Sequence, residues 1–72
     1  MNSIELEENH TVAVLKDIPS SNIKKGDVGT VVSILSDDVV EVEFIDQKGV
    51  PISIAPIKKS DLIRLRLNPI IV

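Results

Sequence analysis

The sequence predicts an all-β protein, five short, mostly antiparallel strands closing into a small, partly open barrel. Three observations predict it. β-Branched runs recur at short, regular intervals with turn residues between them. The run Val39 to Ile45 alternates strictly, with Val40, Val42 and Phe44 on one face and Glu41 and Glu43 on the other, the period of a half-buried antiparallel strand. The stretch Lys24-Lys25-Gly26-Asp27-Val28-Gly29-Thr30-Val31-Val32 reads as a tight turn feeding a strand. Gly26 takes a positive φ at no steric cost, Asp27 can bond its own backbone, and Gly29 lets the chain bend or pass close to a neighbouring strand.

The elements follow in order. Residues 1–9 form a short acidic lead in which Ile4 and Leu6 are placed to pair at an edge. His10 to Lys16 is the first strand, stopped by Pro19. Ser20, Ser21 and Asn22 are turn formers, and Ile23 is expected to fold this loop back onto the barrel. Gly29 to Leu35 is the second strand, and Ser36-Asp37-Asp38 makes a tight connection to the third. Asp46-Gln47-Lys48-Gly49 is the next turn. Val50 to Ile57 is a fourth strand whose Pro51 and Pro56 lack an N–H, so it is an edge strand or an interrupted one. Ser60-Asp61-Leu62 reads as one capped helical turn, and Ile63 to Leu67 as a last strand. The barrel therefore spans residues 10–67, followed by an apolar tail, 68–72. The expected core is Val12, Val14, Val32, Ile34, Val40, Val42, Phe44, Ile52, Ile54, Leu62 and Leu65. Either Val31 or Val32 could point inward, since both are apolar.

Composition narrows the function classes. A chain of 72 residues has room for one domain and one modest core. It has no cysteine, hence no disulfide or thiolate metal site, which fits a cytoplasmic protein. No apolar run approaches the roughly 18 residues of a membrane span, and the lead lacks the basic region of a signal peptide. The net charge of −3 argues against nucleic acid as the main partner. Phe44 is the only aromatic residue, too few for a Pro-rich peptide groove or a base-stacking platform.

Candidate sites are sparse. His10 is the only histidine, and acid–base work needs a partner within hydrogen-bond reach. Asp27, Asp37, Asp38 and Asp46 could together offer oxygens to Ca²⁺ or Mg²⁺, but no EF-hand spacing exists and turns attract aspartate for backbone reasons. No catalytic residue, metal or cofactor is therefore expected. Glu41 and Glu43 lie about 7 Å apart on one strand face, an acidic surface for a basic protein partner rather than a glycosidase pair, which needs a deeper cleft. Val50 and Ile52 on the edge strand, or the Ile70-Ile71-Val72 tail, would add apolar contact. The same edge or tail offers a route to a homodimer. Lys24, Lys25, Arg64 and Arg66 are the candidate anion- or RNA-binding residues, with Lys58-Lys59 a further basic spot.

Three strings, H-T-V-A-V-L-K-D-I-P, K-K-G-D-V-G-T-V-V and V-E-V-E-F, are similar to the pattern of small bacterial proteins grouped as domain-of-unknown-function family 4926. The likeness runs from His10 to Leu65, and G-D-x-G-T-V-V is its most specific element. Thr11 stands where Asp is usual, and Val40 where Tyr is common. The resemblance implies an SH3-like barrel and supplies no catalytic residues. Because such families often sit beside toxin-like genes, it also implies an antitoxin, immunity or accessory role. Gly29-Thr30-Val31 bears a more distant likeness to the KOW element of ribosomal and transcription-factor barrels, which implies an RNA- or ribosome-associated module as the alternative. KOW domains are usually basic, and this chain is acidic.

Overall fold

The computed structural model describes residues 5–46 and 48–66. The fold is all-β: β1 (Thr11–Val14), β2 (Val28–Ile34), β3 (Val39–Ile45), β4 (Pro51–Lys58) and β5 (Leu62–Arg64). They form one sheet of five strands in the order β4-β3-β2-β1-β5, every neighbouring pair antiparallel. Two single 3-10 turns, Pro19–Ser21 and Lys59–Asp61, are the only helical elements among the described residues.

The connection from β4 to β5 shows that the sheet curls onto itself. β4 and β5 lie at its opposite edges. In a flat sheet those edges would stand four strand spacings apart, about 19 Å. They would also run in the same direction, so the link would have to return along a strand's length. Yet Lys58 and Leu62 are joined by the three-residue turn Lys59–Asp61, and four residue steps reach about 14 Å at most. Only a strongly coiled sheet brings the edges that close. Two backbone bonds hold the turn, Lys59 N–H to the Asp38 carbonyl (2.8 Å) and Leu15 N–H to the Asp61 carbonyl (2.8 Å).

Coiling wraps one sheet face around a single core of Leu6, Val12, Val14, Ile23, Val31, Val40, Val42, Phe44, Ala55, Ile57 and Leu62. The period-2 reading of β3 holds along its whole length. Ile23 folds back as expected, and its N–H and the Ile18 carbonyl bond at 3.1 Å.

Five expected core positions differ. Val32 is exposed where the β2–β3 register shifts between Val31 and Ser33, and Ile34, the last residue of β2, is exposed although it lies opposite the buried Val40. Val31 points inward, and Val32 is the extra residue of the irregularity. Ile52 and Ile54 are exposed because β4 buries the opposite set. Ala55 lies opposite Val42 and Ile57 opposite Val40, which places Ile54, opposite Glu43, on the outer face. A second shift, at Phe44/Ile45, sets Ile52 out of the regular alternation. Leu65 lies past the end of β5 and is half-buried. The last strand starts at Leu62 rather than Ile63, and the 3-10 turn covers Lys59–Asp61. Leu67 and the apolar tail lie outside the described residues.

Leu6 of the lead joins the core, and Ile4, expected to pair with it at an edge, lies outside the described residues. Leu6 is only 5 % exposed. A turn anchors it: Glu7 N–H donates to His10 Nδ1 (3.0 Å), His10 N–H donates to the Glu7 carbonyl (3.2 Å), and Asn9 has φ 75°. Asn9 N–H then donates to the Val31 carbonyl at 2.8 Å, fastening the turn to β2. Leu6→Ala is therefore expected to cost stability near the lower end of the roughly 2–5 kcal/mol of a buried leucine truncation. Urea unfolding of Leu6→Ala beside Glu5→Ala checks this, since the exposed Glu5 should change nothing.

Candidate functional site

Glu41 and Glu43 project from the outer face of β3. Glu43 stands between Thr30 of β2 and Ile54 of β4, and Glu41 between Ser33 and Pro56. Both glutamates are half-buried. Their cross-strand neighbours are uncharged, so no cation faces them in register. Among the described residues the one ion pair is Lys16 Nζ to Asp61 Oδ2, 3.3 Å. The acidic stripe is therefore bordered by hydroxyl groups on one side and apolar groups on the other.

The apolar border continues along β4. Ile54 is 54 % exposed, Ile52 67 % and Val50 54 %. Val50 closes the β3–β4 connection: its N–H donates to Asp46 Oδ1 (3.0 Å) and its carbonyl accepts from Asp46 N–H (2.9 Å). Ile52 lines a shallow cleft of about 90 Å³ with Phe44, Ser53 and the β1–β2 loop at Ser21, Asn22, Ile23 and Asp27. Thus β3 brings Glu41 and Glu43 onto the outer face beside Ile54 and Pro56, whereas Ile52 opens toward the cleft at Phe44 and Ile23 and Val50 sits in the turn before β4.

The basic candidates do not converge. Lys24 and Lys25 precede β2 beside the Val14 end of β1, where Gly26 N–H donates to the Val14 carbonyl. Lys24 N–H donates to Asp27 Oδ2 (2.9 Å) and Lys25 N–H to Asp17 Oδ1 (2.8 Å), so carboxylates bond the backbone of both. Arg64 lies opposite Val12. Arg66 lies beyond it, past Leu65, whose N–H donates to the Thr11 carbonyl. The lysine pair and Arg66 thus flank opposite ends of β1. Lys58 and Lys59 form a third location.

A larger cleft of about 420 Å³ opens there, lined by Ser36, Asp38, Val39, Lys58, Lys59 and Ser60. Sequence reasoning noted the two lysines but not the cleft, because its two sides are far apart in the chain. Two of its polar groups serve the fold. Ser36 Oγ accepts from the Asp38 and Val39 N–H groups (3.2 and 3.1 Å), and the Asp38 carbonyl accepts from Lys59 N–H.

The turn aspartates act on backbone. Asp46 Oδ1 accepts from Lys48 N–H as well as Val50 N–H, and Gly49 adopts φ 81°. Among the described residues no three His, Cys, Asp or Glu side chains gather as a metal cage. His10 Nδ1 accepts the Glu7 N–H, so the ring proton sits on Nε2 in this arrangement. No helix among the described residues is long and apolar enough to cross a membrane.

The model of one family, Domain of unknown function (DUF4926), matches residues 8–64. The chain belongs to that family. The DUF4926 match starts just before His10 and ends with β5, so it spans all five strands and leaves out Leu6. No curated protein and no solved structure matches the chain. Neither the SH3-like nor the KOW likeness therefore gains a structural relative.

Proposed function

We propose that this chain is a small, non-catalytic protein-binding module of the cytoplasm, an antitoxin, immunity or accessory protein for a neighbouring gene product. The observation that carries this reading is the Glu41/Glu43 stripe, which has no cation in register and borders the exposed aliphatic groups of β4. A partner bearing a basic patch supplies the missing charge. Contact with Val50 and Ile52 supplies apolar burial. Charge complementarity of this kind raises association rate and selectivity and is screened by salt. Against a basic nuclease-like site the stripe would act as a nucleic-acid mimic.

Calorimetry with the product of the adjacent gene tests the reading, using wild type and Glu41→Lys/Glu43→Lys at two salt concentrations. The double variant is expected to bind at least about tenfold more weakly at low salt, a loss of about 1.4 kcal/mol. Wild-type affinity is expected to fall as salt rises. Equal affinity of the two proteins at low salt rules out the acidic face. Tight binding to ribosomal RNA instead would favour the KOW-like alternative through Lys24, Lys25, Arg64 and Arg66, although their separation in the fold speaks against one continuous basic surface.

A further inference from the structure

The backbone of β4 offers a second feature beside the acidic stripe. Val31 N–H donates to the His10 carbonyl at 2.9 Å, so Gly29 and Val31 direct their backbone groups toward β1. Hydrogen-bonding direction alternates along a strand. Thr30 therefore bonds toward β3, and Glu43, its partner, bonds toward β2. It follows that Ile54, opposite Glu43, turns its N–H and carbonyl away from the sheet. The same alternation turns Pro56 and Lys58 outward, and Pro56 satisfies it at no cost because it has no N–H to lose. The free edge thus presents the N–H groups of Ile54 and Lys58 and the carbonyls of Ile54 and Pro56, while the Lys58 carbonyl opens the 3-10 turn Lys59–Asp61. Ile54 and Pro56 are the residues that border Glu43 and Glu41.

We propose that this edge takes an extended basic strand of the partner protein as a sixth strand, with lysine or arginine side chains crossing Ile54 and Pro56 to reach Glu43 and Glu41. The proposal rests on the protein-binding reading above and names the form the partner presents. An added strand would lie two strand spacings from β3, about 9.6 Å, and a lysine stem laid over Ile54 covers that gap with its head group toward the glutamate. Main-chain bonds supply affinity and alternate side chains supply selectivity, as in other strand additions. The charge pattern favours a basic occupant over a second copy. Two β4 strands paired about Ile54 would leave Glu41 and Glu43 of both copies without a cation in register, the two β3 strands standing about 14 Å apart. They would also set Pro56 of each, lacking a donor, against Ile52 of the other. Lys58 bounds the site at its C-terminal end, so the partner's basic residues lie beside Ile54 and Pro56 and not beyond.

The test uses the ¹⁵N-labelled full chain and three acetylated, amidated octapeptides. One alternates lysine with valine, one alternates glutamate with valine, and one is the lysine peptide N-methylated at alternate amides on its pairing side. The lysine peptide is expected to shift the Ile54 and Lys58 amide resonances most and to slow their exchange with solvent. Its affinity is expected to drop at least tenfold with the N-methylated peptide, with the glutamate peptide, and with Glu41→Gln/Glu43→Gln. The glutamine variant keeps the shape of the outer face, and its circular dichroism should match wild type. Equal affinity for the plain and N-methylated lysine peptides overturns strand addition while leaving an acidic binding face intact. Absence of binding by the lysine peptide at millimolar concentration overturns the proposal as well. So does a dimer in sedimentation whose protected amides are Ile54 and Lys58, because a second copy would then occupy the edge. The broader reading fails separately, when the neighbouring gene product is not bound at all.

Discussion

Phe44→Ala is expected to leave the protein unfolded or nearly so. Phe44 is the only aromatic side chain in the sequence and is 3 % exposed. It lies on the inward face of β3 with Val40 and Val42, opposite Gly29 on one side and Ser53 on the other. Those two partners are small, so neither can swing in to refill the space that the ring leaves. A buried Phe→Ala change costs about 3–5 kcal/mol, more where the site cannot collapse. A single core of this size rarely supplies more than about 3–5 kcal/mol of net stability. The loss therefore equals the whole margin, and no disulfide offsets it. Thermal melting followed by circular dichroism checks the expectation. A fall in Tm of only a few degrees would mean that the ring is not central to the core.

Gly29→Ala is expected to destabilise strongly for the opposite reason. Its φ is not the issue; space is. A Cβ at Gly29 would stand 2.7 Å from Val42 Cγ1, 2.8 Å from the Glu43 carbonyl oxygen and 3.0 Å from Phe44 Cδ1. One of those obstacles is backbone, so rotamer changes cannot relieve the clash. β2 would have to move away from β3 at a point where it also pairs with Val12 of β1. Overpacking of this kind costs about 1–3 kcal/mol and occasionally more. Gly26→Ala is a useful comparison. Gly26 has φ 92°, but a methyl group there would meet nothing within 4 Å, so its cost is one of backbone strain without a clash. Urea midpoints of the two variants separate the mechanisms. The Gly29 variant should also shift the Phe44 ring resonances, and the Gly26 variant should not.

The candidate site was partly legible in the same way as the core. The alternation of β3 assigned Glu41 and Glu43 to the outer face, because a period of two leaves no other arrangement once Phe44 is buried. The edge position of β4 followed from its two prolines, but the exposure of Ile52 did not, since the sequence predicts Ile52 in the core. Which residues border the glutamates was not legible, because cross-strand neighbours depend on register. The sequence Pro-Ile-Ser-Ile-Ala-Pro-Ile-Lys supports either parity, and Ile52 and Ile54 look like the inward set because they are larger than Ala55. Pairing with β3 decided otherwise: Val42 and Val40 already occupy that part of the interior, and only Ala55 and Ile57 lie opposite them. The separation of the basic residues was likewise invisible, since it depends on which end of β1 each loop meets.

From the sequence alone came the all-β class, the edge character of β4, the outward glutamates and the close approach at Gly29. Each depends on chemistry within a few residues: a period of two, a proline without an N–H, a glycine without a Cβ. The tertiary structure alone decided the parity of β4, the irregularity at Val32, the burial of Leu6 and the separate locations of the lysines and arginines. Those depend on register and on the coiling of the sheet, which arise from contacts between residues distant in the chain. A one-residue shift in register moves a side chain from core to solvent without changing a single local preference.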